Sequence, residues 1–93
     1  RLMSGCRHLK SPDAVLDYVE DWSVWLDGDT IATSQWQVAI PGLSITEQAK
    51  SVATATVWLS GGQQGRQYKV TNTITTAGGR TASRSITVII HQL

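Results

Sequence analysis

The sequence predicts one small all-β domain, and three runs in its second half carry that prediction. Residues 54–59 alternate, with Ala55, Val57 and Leu59 on one face and Thr54, Thr56 and Trp58 on the other. Residues 67–75 set Tyr68, Val70, Asn72 and Ile74 against Lys69, Thr71, Thr73 and Thr75. Within 81–90, Ile86, Val88 and Ile90 share a face. Thr, Val, Ile, Trp and Tyr dominate these runs, as suits a pleated, half-buried surface. Glycine-rich breaks at 61–65 and 77–80 separate them, the second supplying the positive φ of a tight hairpin. Three antiparallel strands in series follow.

Ninety-three residues make one domain. A chain this short buries only about 60–65 % of its unfolded surface, which suits a sandwich or barrel better than an enzyme with a deep cleft. With 41 % hydrophobic and 16 % charged residues the composition is globular, not disordered. No apolar stretch approaches the roughly 18 residues of a membrane helix, so no membrane partner is expected. The first six residues hold no apolar core of signal length. Cys6 is the only cysteine, so no internal disulfide forms, and assembly in a reducing cytosol is the expectation.

The earlier elements are read in order. Residues 1–10 form a flexible basic arm (Arg1, Arg7, His8, Lys10), and residues 11–93 form the domain. In 11–26 the signals conflict. Ser11-Pro12-Asp13 resembles a helix start, and Val15, Tyr18, Val19, Trp22 and Trp25 recur at helical spacing. A fourth strand spans 30–40, with Ala32, Ser34, Trp36 and Val38 on one side and Pro41-Gly42 ending it. Residues 43–53 read as a short strand and loop, although Ser44 with Glu47 has the form of a capping box. The expected core comprises Trp22, Trp36, Trp58, Tyr68, Val70, Ile86 and Val88.

Charge is segregated along the chain. All seven acids lie between residues 13 and 47, with no Lys or Arg among them. Residues 51–93 hold Arg66, Lys69, Arg80 and Arg84 and no acid. Either the two halves face each other within one fold, or neighbouring molecules dock through them. Four scattered bases do not make a nucleic-acid stripe, so no nucleic-acid partner is expected.

The candidate chemistry is thin. Cys6 and His8 offer two metal ligands where zinc takes four, so no metal is expected. Asp27-Gly28-Asp29-Thr30 reads as a solvated turn, lacking the closing Glu of a calcium loop. The glycine-rich segment 61–65 lacks the Gly-Lys-Ser/Thr ending of a phosphate loop. No catalytic residue and no cofactor is assigned.

Several strings together resemble a known family. They are Lys10-Ser11-Pro12-Asp13-Ala14-Val15-Leu16-Asp17-Tyr18, Asp21-Trp22-Ser23, Trp25-Leu26 and Asp29-Thr30-Ile31-Ala32. Val57-Trp58-Leu59-Ser60-Gly61-Gly62, Tyr68-x-Val70-Thr71-Asn72 and Thr75-Thr76-Ala77-Gly78-Gly79-Arg80-Thr81 complete the set. From Lys10 to about Ile90 the chain resembles small phage and prophage structural proteins described as fibre–tail adaptor proteins. The resemblance implies an immunoglobulin-like antiparallel two-sheet sandwich with at most one short helical turn. It also favours a strand across 16–22 followed by a helical turn to Leu26. It implies a virion protein assembled in the host cytoplasm, which joins tail fibres to the tail in symmetric copies. The implied partners are the tail adaptor or nozzle and the fibre. Lys10, Asp27, Asp29, Gly79, Arg80 and Arg84 are the candidate interface residues. The spacing Gly65-x-x-Tyr68-x-Val70 is similar to a tyrosine corner. The alternative function is a carbohydrate-binding sandwich that stacks sugars on an exposed Trp25, Trp36 or Trp58.

Overall fold

The structure, a computed structural model, describes residues 6–91. Seven strands and one helical turn follow in order: β1 (Cys6–Lys10), β2 (Val15–Asp21), α1 (Ser23–Leu26), β3 (Ile31–Val38), β4 (Leu43–Lys50), β5 (Thr54–Gly61), β6 (Gln67–Thr76) and β7 (Thr81–Ile90). They form two facing sheets, β1-β7-β6-β3 and β2-β5-β4. All pairings are antiparallel except β1 with β7, which is parallel. Taken in chain order, β2-β5-β4 and β3-β6-β7 reproduce the two sheets of an immunoglobulin-like sandwich.

The core lies between the sheets because each strand alternates. β6 buries Tyr68, Val70, Asn72, Ile74 and Thr76, β7 buries Ile86, Val88 and Ile90, and β5 buries Ala55, Val57 and Leu59. Trp36 on β3 is 4 % exposed, the place where such sandwiches hold a tryptophan. The tyrosine corner is formed: the buried Tyr68 hydroxyl accepts a hydrogen bond from Gln63 N at 3.1 Å, across the β5–β6 connection. Gly42 makes room for it, since a Cβ there would stand 2.6 Å from that hydroxyl.

Residues 11–26 resolve as a strand and then one helical turn, despite their helical spacing. Tertiary pairing decides this: β2 runs in register with β5 from Val15↔Ser60 to Asp21↔Thr54. β4 is longer than the short strand expected, and Ser44 and Glu47 lie within it instead of capping a helix. In β3 a bulge between Ile31 and Thr33 brings Ile31 to the core and leaves Ala32 exposed, reversing the face expected for Ala32.

Two other expectations change. Cys6–Lys10 is a strand where a flexible arm was expected, because β7 offers it an edge to pair with; residues 1–5 lie outside the described residues. Trp58 stands outside the core cluster that holds Trp22, Trp36, Tyr68, Val70, Ile86 and Val88. Strand alternation puts it on the outer face of β5, opposite to buried Val57 and Leu59.

Candidate functional site at one pole of the sandwich

Two motif blocks far apart in sequence meet at one pole. The first is Asp21-Trp22-Ser23-Val24-Trp25-Leu26-Asp27-Gly28-Asp29, which leaves β2, makes α1 and turns toward β3. Asp21 Oδ1 accepts from Ser23 N at 2.9 Å, and Leu26 N donates to Trp22 O at 2.9 Å, which fixes the turn. Asp27 in the left-handed region (φ 49°) and Gly28 (φ 92°) stop it. The second block is the β6–β7 hairpin Ala77-Gly78-Gly79-Arg80, where Gly79 (φ 90°) provides the reversal.

Asp29 joins the blocks. Its Oδ1 accepts from Thr30 N (2.8 Å) and from Gly78 N (3.1 Å), and its Oδ2 pairs with Arg80 Nε at 3.3 Å. A Cβ at position 78 would stand 2.8 Å from that carboxylate, so any side chain there would push the carboxylate aside. The Thr76 hydroxyl first, then the Thr30 and Gly78 N–H groups and Arg80, hold the Asp29 carboxyl below its ordinary range. Arg80 Nη2 also donates to Leu26 O at 2.7 Å, and its guanidinium lies 4.3 Å from the Trp25 ring centroid.

A second arginine repeats the pattern one step deeper. Arg84 Nη1 pairs with Glu20 Oε2 at 2.9 Å and donates to Asp21 O at 3.2 Å, while its guanidinium lies 4.3 Å from the Trp22 ring. Trp22 meets Trp25 edge to face, with centroids 5.4 Å apart. Trp22 Nε1 then donates to buried Asn72 Oδ1, and Asn72 Nδ2 donates to Ser34 Oγ and Gln35 O, each at 2.9 Å. A connected polar network thus crosses the sandwich from one sheet to the other.

Of the candidate interface residues, this pole gathers Asp27, Asp29, Gly79, Arg80 and Arg84. Asp27 and Gly79 are exposed, whereas Asp29, Arg80 and Arg84 are ion-paired within the chain. Part of the charge segregation is therefore matched across the fold. Lys10 lies elsewhere, paired with Ile90 at the far end of β7 in a molecule 41 Å long. It is fully buried, and its Nζ donates to Ser11 O (2.9 Å) and Gly61 O (2.7 Å). Desolvation lowers its pKa, with Asp13 opposing. Sequence reasoning missed Glu20 and Trp25 as partners of these arginines, for neither has any local signal of a contact some 55–64 residues away.

The chain matches, over residues 10–89, the family described as Podophage GP4 fiber-tail adaptor protein gp77. The chain belongs to this family. It is a structural component of a phage virion, an adaptor between fibre and tail. No individually curated protein matches the chain significantly. Both blocks of the pole fall inside the matched segment, so the adaptor's own residues build it. Among the described residues no three His, Cys, Asp or Glu side chains are grouped to hold a metal, and no helix is long and apolar enough to cross a membrane. A groove of about 300 Å³ between β3 and β4, lined by Ala32, Thr33, Ser34, Gln48, Ala49 and Lys50, has no carboxylate, imidazole or thiol.

Proposed function

We propose that this adaptor works by docking alone, without catalysis, and that the pole formed by α1 and the β6–β7 hairpin is one of its docking surfaces. The supporting observation is that polar contacts among Asp29, Gly78, Arg80 and Leu26 join two exposed turns to each other. Connecting turns are ordinarily the mobile parts of a domain. Here Asp29, Gly78 and Arg80 hold the turns in one arrangement, while Val24, 93 % exposed, Asp27 and Gly79 face outward. A surface fixed beforehand loses less entropy when a partner seats on it, which is what a permanent joint needs. On this reading the partners are the tail and fibre proteins, the copies are arranged symmetrically, and assembly takes place in the host cytoplasm. On the same reading one domain, residues 11–93, does this, and Cys6–Lys10 adds a parallel edge strand to it.

The test is electron cryo-microscopy of assembled particles with the domain's density located. Contact between the pole and a tail or fibre protein is the expected result. A pole facing solvent in the particle would refute it. A sugar-binding role would instead show as glycan binding by the free domain that is lost on replacing Trp58.

A further inference from the structure

We propose that the outer face of the β2-β5-β4 sheet is a second docking surface, on which a cationic segment of a partner virion protein seats an arginine or lysine over Trp58, between Asp17 and Glu47. The proposal rests on the adaptor reading and names the chemistry of one of its partners.

Register defines the face. The outward positions form rows across the three strands: Val15, Ser60 and Ser44; then Asp17, Trp58 and Glu47; then Val19, Thr56 and Ala49. The bulge between Ile45 and Glu47 in β4 is what turns Glu47 outward beside Trp58. Trp58 is only partly buried, and Val15 and Val19 are 59 % and 57 % exposed. No outward position of these strands carries Lys or Arg, and among the described residues neither Asp17 nor Glu47 is ion-paired.

The chain shows what such a site accommodates. Trp25 has Arg80 at 4.3 Å with Asp29 alongside, and Trp22 has Arg84 at 4.3 Å with Glu20 alongside. Trp58 is a third tryptophan flanked by carboxylates, and within the described chain it lacks the cation. Strands lie about 4.8 Å apart, so the carboxylates straddle about 10 Å, room for one cation between them. The indole face attracts that cation, the carboxylates anchor it, and the valines exclude water as the partner seats. The other outer face differs: Thr71 with Ser85, Thr73 with Ser83 and Thr75 with Thr81 hydrogen-bond to each other, and Lys69 is its charge on β6.

The experiment mixes the folded domain with tails purified from particles that lack it, and with purified fibres, at rising salt. Two variants are compared with the wild type, Trp58→Thr and the double variant Asp17→Asn with Glu47→Gln. Both changes face outward, so denaturant midpoints should stay near the wild type. The expected result is about a tenfold or greater loss of binding for each variant to the same partner, with a flatter salt dependence for the double variant. Wild-type binding with both variants within about twofold of it would overturn the surface while leaving the adaptor reading intact. Wild-type failure to bind either structure would overturn the adaptor reading. Independently, hexa-arginine peptide titrated into the labelled domain should shift the Trp58 indole resonance and its neighbours on this face. Shifts spread over the whole surface would overturn the cation site, and self-association abolished by Trp58→Thr would reassign the face to a second copy.

Discussion

Arg84 on β7 lies over the ring of Trp22, 4.3 Å from its centroid, and in the same pose bonds Glu20 on the facing sheet at 2.9 Å. The side chains of Arg84 and Glu20 are only 25 % and 11 % exposed. Removing one partner therefore strands a charge that water reaches poorly. Arg84→Ala is expected to cost about 2–3 kcal/mol, from the lost ion pair and the lost stacking. Against a total of about 5–10 kcal/mol that is a large fraction, readable as a lowered urea midpoint. Arg84→Ala combined with Glu20→Gln should recover part of the loss, since the stranded charge is gone. A single variant as stable as the wild type would show the pair to be ornamental.

The tyrosine corner predicts a smaller, separable effect. Tyr68→Phe keeps the ring in the core but removes the acceptor for Gln63 N, so about 1 kcal/mol should be lost. Gly42→Ala should cost more, because φ is 123° there and the added Cβ would meet the Tyr68 hydroxyl. Thermal unfolding of both variants checks the order. If Gly42→Ala proves the milder, the close approach of Gly42 to Tyr68 does not constrain the corner.

Trp58 supplies a control. In the core, where the sequence reading places it, truncating Trp58 would cost about 3–5 kcal/mol. On the outer face of β5 it has no cavity to leave behind. Trp58→Thr, a good strand residue, is expected to cost less than about 1 kcal/mol. A shift of the unfolding midpoint as large as that of Arg84→Ala would contradict its outward position.

How much of this was legible in the sequence depends on whether neighbours in space are neighbours in sequence. The period-2 runs of β5, β6 and β7 and the Gly78-Gly79 turn are local, and they were readable. The fate of 15–21 was not. Its helical spacing is real, yet pairing with β5 overrides it, and only the family resemblance pointed to a strand. The face of Trp58 was visible in the alternation with Val57 and Leu59, but its aromatic bulk argued for burial and outweighed the parity. Bulges in β3 and β4 shifted Ile31 and Glu47 to faces that simple alternation does not give them. Within the pole, Asp29 and Arg80 stood out as motif residues, whereas Glu20 became visible only when β2 and β7 were brought face to face.

Asp29 gives the pole a pH signature. Its carboxyl titrates below the ordinary 3.8 in the folded protein because Thr76, backbone N–H groups and Arg80 favour the charged form. The unfolded chain therefore takes up the proton first as pH falls. The stability Asp29 adds is whole above the ordinary value and is lost as pH drops through the lower folded value. Urea midpoints from about pH 6 to about pH 2 should fall more steeply for the wild type than for Asp29→Asn. Parallel curves would mean that the carboxylate's contacts with Gly78 and Arg80 do not survive in solution.

Separating folding from docking requires a change that touches the pole without touching its supports. Reversing Arg80 and Arg84 to Glu does not qualify, because Arg84→Glu sets a second carboxylate against Glu20 and both changes remove a cation from a tryptophan ring. Val24 qualifies. It is 93 % exposed on the helical turn and stands outside the core cluster, so Val24→Asp should leave the unfolding midpoint within about 0.5 kcal/mol of the wild type. If the pole meets a partner, an aspartate at its tip must be desolvated without a counter-charge, and incorporation into particles should fall sharply. The measurement is the ratio of this protein to a tail protein in purified particles. Normal incorporation of folded Val24→Asp would place the joint elsewhere on the adaptor and leave the outer face of β2-β5-β4 as the surface to pursue.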